Sequence, residues 1–88
     1  MYRVSDTVLS THNGDGGIIV DIEHDRLLRL NRTGSWIFQQ VEAAQTQLQI
    51  VEALSRDFHI RRQSAQEDVA NFLRSLEEQG LIYRIALE

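Results

Sequence analysis

The chain has 88 residues, with nine arginines and no lysine against thirteen carboxylates, and its formal net charge is −4. This length allows one domain, residues 1–88, with a single modest core. The lack of cysteine excludes a disulfide framework and thiolate chemistry, and the acidic balance disfavours nucleic acid, which needs a basic surface. Residues 1–6 do not resemble a signal peptide and no apolar run is long enough to span a bilayer, so we expect a cytoplasmic protein.

The first third of the chain has the pattern of antiparallel strands. Residues 4–11 mix β-branched and small polar side chains without a helical period, which predicts a first strand. The glycine-rich segment 13–17 is a strong turn signal, and alternating apolar residues over 18–22 predict a second strand. After a short polar turn, residues 26–30 fold back as a third strand, which completes a β-meander.

Helix signals begin at the end of the third strand. Asn31 is a candidate N-cap, and Thr46 and Ser64 each open a capping box with Gln49 and Glu67. Apolar stripes follow each signal, such as Leu48, Val51, Leu54 and Phe58 after Thr46, and Gly80 is placed to end the last helix. These patterns predict helices near 33–44, 46–57 and 64–79. The tail 81–86 is apolar and β-prone, so we expect it to return to the sheet or to pack as a wing.

Three strands followed by three helices define an α+β fold. The second and third helices resemble a helix-turn-helix, which gives the domain a winged-helix character. Because this shape serves many functions, the function has to be argued from the site.

The residues available for catalysis are few. His12, His24 and His59 lack the spacing that places two imidazoles on one metal ion. The polar cluster 21–25 could in principle do acid–base chemistry, but a solvated hairpin turn explains it better. We therefore expect no catalytic residue, no metal and no cofactor, and a protein that is not an enzyme.

A winged-helix shape also suggests DNA binding. However, the last predicted helix would present Glu67, Asp68, Glu77 and Glu78 against Arg74 alone. Such a helix would bring carboxylates against phosphates, which opposes the complementarity that binding requires.

The third strand is the remaining candidate for a binding site. In a meander its outer edge is unpaired, and unpaired backbone groups can accept an added strand. The flanking Arg26, Arg29 and Arg32 are equally well explained as protection against aggregation. If the third helix lies beside this edge, the two elements form a groove with backbone groups on one wall and apolar side chains such as Phe72 on the other.

Four segments that extend over nearly the whole chain follow the pattern of a known family: residues 17–22, 28–37, 49–54 and 68–82. The most specific parts are the Leu-Asn-x-Thr-Gly junction at 30–34 and the Asp-Val-x-x-Phe-Leu segment at 68–73. On these segments the chain resembles the PqqD family. Members of this family are peptide-binding chaperones, also called RiPP precursor-peptide recognition elements.

The resemblance implies that the leader segment of a precursor peptide adds as a strand to the third strand, beside the third helix. It implies backbone pairing by Arg26, Leu27, Leu28, Arg29 and Leu30. It also implies side-chain pockets lined or flanked by Asp68, Val69, Phe72 and Leu76.

Within the family the chain is most similar to the discrete lasso-peptide leader-binding proteins. These deliver the precursor to a separate leader peptidase, of transglutaminase-like type, or to another modifying enzyme. We expect a monomer, with a homodimer as the alternative, and no nucleic acid or membrane partner. The alternative function is a small winged-helix transcriptional regulator or a regulatory subunit.

Overall fold

The computed structural model describes residues 1–85, which form a two-stranded sheet, a three-stranded sheet and three helices. The α+β class predicted from the sequence is confirmed. In chain order the elements are β1 (Tyr2–Val4), β2 (Val8–Asn13), β3 (Gly16–Asp21), β4 (Arg26–Asn31), α1 (Arg32–Glu42), α2 (Gln47–Phe58), α3 (Arg62–Glu78) and β5 (Ile82–Arg84).

The main sheet is an antiparallel meander in the order β2-β3-β4. Its β3 and β4 are the predicted second and third strands. Ile19 lies opposite both Ser10 and Leu28, and this register places alternate residues of each strand on the face that the helices cover. The opposite face of the sheet is exposed.

The prediction of a single first strand over residues 4–11 is wrong, because this segment is divided between β1 and β2. The chain turns at residues 5–7, where the Val8 N–H donates to the Ser5 carbonyl at 3.1 Å. The part before the turn, β1, pairs with β5 in a separate two-stranded sheet, with Arg3 opposite Tyr83. The predicted tail therefore pairs with the N-terminus and not with the meander, and Ala86 lies outside the described residues.

Most helix ends follow the sequence signals. The Asn31 side chain accepts from the Gly34 N–H at 2.7 Å, and Thr46 forms the predicted capping box with Gln49. Gly80, at φ 74°, ends α3: its N–H donates to the Glu77 carbonyl, and the Leu81 N–H donates to the Leu76 carbonyl. Within residues 1–85, no helix is both long and apolar enough to cross a bilayer.

The predicted start of α3 at Ser64 is wrong. The Ala65 N–H already donates to the Arg61 carbonyl at 2.9 Å, so the helix begins at Arg62, with Arg61 as an N-cap that makes no side-chain bond. Leu48 was likewise expected on the buried stripe of α2, but it is 58% exposed, whereas Ile50 is buried.

A partly buried ion pair joins β3 to β4 and α3. Asp21 is 1% exposed, and its Oδ2 accepts from Arg26 Nη2 at 2.8 Å and lies 2.8 Å from His24 Nδ1. Arg26 Nη2 also donates to the Gln79 carbonyl at the end of α3, at 2.6 Å. The prediction that residues 21–25 form a merely solvated turn is therefore wrong for Asp21, because this carboxylate anchors the sheet to the helix.

The hydrogen bond from Arg26 lowers the pKa of Asp21 below its ordinary 3.8, with a smaller contribution from His24 against the opposing effect of burial. A lowered folded-state pKa stabilises the fold above the unfolded pKa, and this contribution is lost as pH falls from about 4 through the folded-state value.

We expect Asp21→Asn to lower the free energy of unfolding at neutral pH and to flatten its decline in acid, as followed by denaturant unfolding from pH 7 to 3. An unchanged acid slope in Asp21→Asn would contradict this role.

Candidate functional site

A groove of about 400 Å³ lies between the end of β4, the start of α1 and the middle of α3. It combines a strand edge, a helix N-terminus and a helix face. Its lining residues are Arg29, Leu30, Asn31, Thr33, Gly34, Ile37, Asp68 and Phe72.

The outer edge of β4 forms one wall of this groove. Among residues 1–85, no strand pairs with β4 on the side away from β3. The direction of the backbone groups in β3 follows from one hydrogen bond. The N–H of Ile22, the residue after β3, donates to the carbonyl of Thr7, the residue before β2, at 3.0 Å, so the backbone of Ile22 faces β2. Backbone direction alternates along an antiparallel strand, so the N–H and C=O groups of Ile19, three residues earlier, face β4.

This alternation determines which groups of β4 are available. Leu28 lies opposite Ile19, so its N–H and C=O pair inward with β3. Its neighbours Leu27 and Arg29 consequently direct their N–H and C=O groups to the open edge. The open edge of β4 therefore offers two donors and two acceptors spaced as an added strand requires.

The opposite wall comes from one face of α3. Phe72 is half-buried and Asp68, one turn before it, is exposed, so the wall is aromatic with a carboxylate at one end. Gly34 allows the ring to come close: a Cβ at this position would stand 3.3 Å from Phe72 and 3.1 Å from Asn31 Oδ1. The glycine of the junction thus makes room for α3 as well as for the first turn of α1.

The structure distributes the predicted α3 residues over two faces. Asp68 and Phe72 line the groove, whereas Val69 and Leu76 are 0% and 2% exposed and belong to the core. Neither side chain lines the groove. Both belong to the hydrophobic core, where α3 packs against α2 and β5.

The predicted site residues of β4 also lie on two different faces of the sheet. The side chains of Leu28 and Leu30 point to the helices and pack against the core, and Leu30 reaches the groove. Leu27 and Arg29 stand on the exposed face, where Leu27 is 63% exposed. Arg26 ties the start of β4 to the end of α3, as described above, and so holds the two walls together.

Four groove residues were not predicted as site residues: Asn31, Thr33, Gly34 and Ile37. All four lie at or just after the junction between β4 and α1. The N-cap signal at Asn31 could have placed them there, because a helix that starts directly after an edge strand closes one end of any groove beside that strand.

A second polar cluster lies away from this groove. His12 Nδ1 is 2.6 Å from Ser35 Oγ, and its Nε2 is 3.2 Å from Glu42 Oε1. These residue types resemble a hydrolase triad, but Ser35 is 1% exposed and its hydroxyl donates to the Gly16 carbonyl at 3.1 Å. The cluster therefore joins β2 and β3 to α1 and is closed to a substrate.

Other parts of the surface form weaker candidates than the groove. A concavity of about 450 Å³ lies beside β1 and the end of α1, but β1 has three residues against six in β4 and offers a shorter strand edge. In the part of the chain that the structure describes, no three His, Cys, Asp or Glu side chains are grouped as metal ligands would be. Of these features, the groove beside β4 is the one that combines a six-residue strand with an open edge and a helix face.

Comparisons with known proteins agree with this geometry. The family model of coenzyme PQQ synthesis protein D (PqqD) matches residues 16–82. The structure of TbiB1 in complex with the TbiA(beta) leader peptide superposes with a TM-score of 0.88 at 26% identity, covering 97% of this chain and 99% of that chain. A lasso peptide synthetase B1 complexed with the leader peptide gives a TM-score of 0.85 over 94% and 98% of the two chains, and at 20% identity it shows the fold alone. Among curated proteins, none matches this sequence. Since the family model spans most of the chain, including β3, β4 and all three helices, the protein belongs to the PqqD family.

Proposed function

We propose that this protein binds the leader segment of a ribosomally synthesised precursor peptide, of the lasso-peptide type, and does not itself catalyse a reaction. The leader adds as a strand to the open edge of β4 and places side chains in the groove beside α3. The protein then delivers the bound precursor to a separate leader peptidase, of transglutaminase-like type, or to another modifying enzyme.

One observation carries the proposal: the outward backbone groups of Leu27 and Arg29 lie beside a groove that contains Phe72 and Asp68. Strand addition obtains affinity from main-chain hydrogen bonds and specificity from pockets for alternate side chains. The groove provides both. Membership of the PqqD family and the likeness to a protein solved with a leader peptide support the same function.

The alternative function, a winged-helix regulator, lacks comparable support. Exposed residues of α3 include Glu67, Asp68 and Glu78, against Arg62 and Arg74, and Arg62 is already paired with Glu52 of α2. A major groove presents phosphates along both rims, so this helix face would be repelled.

Synthetic leader peptides without the core segment, taken from short open reading frames beside the gene, provide the first test. We expect binding in the micromolar range, because ordering a disordered strand costs about 2–5 kcal/mol of the interaction energy. In a backbone-amide NMR titration the largest shifts should fall on Leu27 and Arg29. Mass spectrometry after incubation with the purified protein alone should show an unchanged precursor, and cleavage or modification in that sample would contradict the non-catalytic part of the proposal.

Substitutions at two adjacent residues of α3, Phe72 and Leu73, distinguish an effect on leader binding from an effect on stability. Phe72→Ala should weaken leader binding but cost clearly less stability than the ~3–5 kcal/mol of a buried phenylalanine. Its matched control is Leu73→Ala, at a 1% exposed position, which should lose ~2–5 kcal/mol of stability. Asp68→Asn keeps the helix and should weaken binding only through a lost charge-assisted hydrogen bond. If folded Phe72→Ala and Asp68→Asn both bind normally, the leader does not use this wall.

Proline substitutions test the edge itself. Leu28→Pro removes an N–H that pairs with β3 and should unfold the domain, whereas Arg29→Pro removes an outward N–H and should keep most of the fold. Arg29→Pro should nevertheless bind leader much more weakly than Arg29→Ala, which lacks the same side chain but retains the N–H. Circular dichroism and calorimetric titration provide the two measurements. Normal leader binding by a folded Arg29→Pro would rule out strand addition at this edge.

A further inference from the structure

Arg29 is the one β4 residue that combines an outward backbone with a long charged side chain on the exposed face of the sheet. Directly opposite it in β3 is Ile18, and beyond that in β2 is Thr11. Both neighbours are uncharged. On this face the guanidinium therefore stands beside side chains that offer it no carboxylate.

Two acidic residues lie in the wider surroundings of Arg29. Asp15 shares a shallow concavity with it at the β2–β3 turn, and Asp68 shares the groove. Within residues 1–85, Arg29 forms a salt bridge with neither and makes no side-chain hydrogen bond, whereas Arg26 and Arg56 are both paired with aspartates. The Arg29 side chain is exposed and available to a partner.

The residue two positions away on the same face, Leu27, has different neighbours. It lies opposite Val20, which lies opposite Leu9, so the three form one row across the sheet. Leu9 and Leu27 are 59% and 63% exposed. An added strand would extend this row by one residue, because residues directly opposite each other in a sheet place their side chains on the same face.

We infer that the leader strand carries an acidic residue opposite Arg29 and, two residues away, an apolar residue opposite Leu27, both on the exposed face. This inference rests on the proposed function and specifies the class of peptide that it takes. The groove side chains select the inward-facing residues of the leader, and Arg29 selects one outward-facing residue by charge. Cross-strand pairs of opposite charge stabilise a sheet, and like charges destabilise it.

The experiment begins with a displayed library of random peptides long enough to span β4. Peptides that bind are selected from this library in low salt, in three separate selections against the wild-type protein, the Arg29→Glu variant and the Arg74→Glu variant. Arg74→Glu is the matched control, because Arg74 is exposed on α3, does not line the groove, and changes the net charge by the same amount. NMR cross-peaks between peptide and β4 amides identify the peptide residue that lies opposite position 29.

We expect wild type and Arg74→Glu to enrich Asp or Glu at that peptide position, and Arg29→Glu to enrich Arg or Lys. For the best wild-type binder, neutralising the acidic residue should weaken binding by about 1.5–5-fold, and changing it to Arg should weaken binding further. That Arg-containing peptide should regain affinity for Arg29→Glu, and the differences should shrink in about 1 M salt.

The two hypotheses fail in different ways. If selected peptides pair with β4 but show the same residue preference on wild type and Arg29→Glu, the charge inference is wrong and the proposed function stands. If the wild-type protein selects no peptide that perturbs the β4 amides, strand addition itself is wrong and both are overturned.

Discussion

An edge strand that accepts a partner must be held rigidly while its outer hydrogen-bonding groups remain unsatisfied. In β4 both ends are fixed by polar bonds. At the start, Arg26 is held by Asp21 and the Gln79 carbonyl, and at the end the Asn31 side chain caps α1. Between these points Leu28 and Leu30 pack against the core. The strand is thus preorganised, and a ligand does not have to order both partners.

The same strand has to avoid pairing with copies of itself. Arginines at 26, 29 and 32 give the edge a positive charge, so an antiparallel second copy would bring like charges together. A peptide with complementary charge does not meet this barrier. The arginines that protect the edge can therefore also contribute to ligand choice, and the two explanations offered by the sequence are compatible.

The third helix connects the binding groove to the stability of the fold. One face buries Val69, Leu73 and Leu76, and another presents Asp68 and Phe72 to the groove. Because a helix has 3.6 residues per turn, a single residue step moves a side chain from one function to the other. If the leader occupies the groove as proposed, substitutions on the groove face change the peptide specificity at a small cost in stability, whereas substitutions on the core face cost much more stability.

The sequence by itself determined the order of the main elements, the helix caps at Asn31 and Thr46, and the position of β4 at one edge of the meander. These features depend on alternation and on hydrogen bonds between residues three or four apart, which are visible in any short segment. Only the tertiary structure decided that residues 2–4 pair with 82–84, that Asp21 is buried, and that Val69 and Leu76 face the core. The physical reason is that burial and strand pairing depend on which distant segment covers a residue, and a local pattern contains no information about that segment.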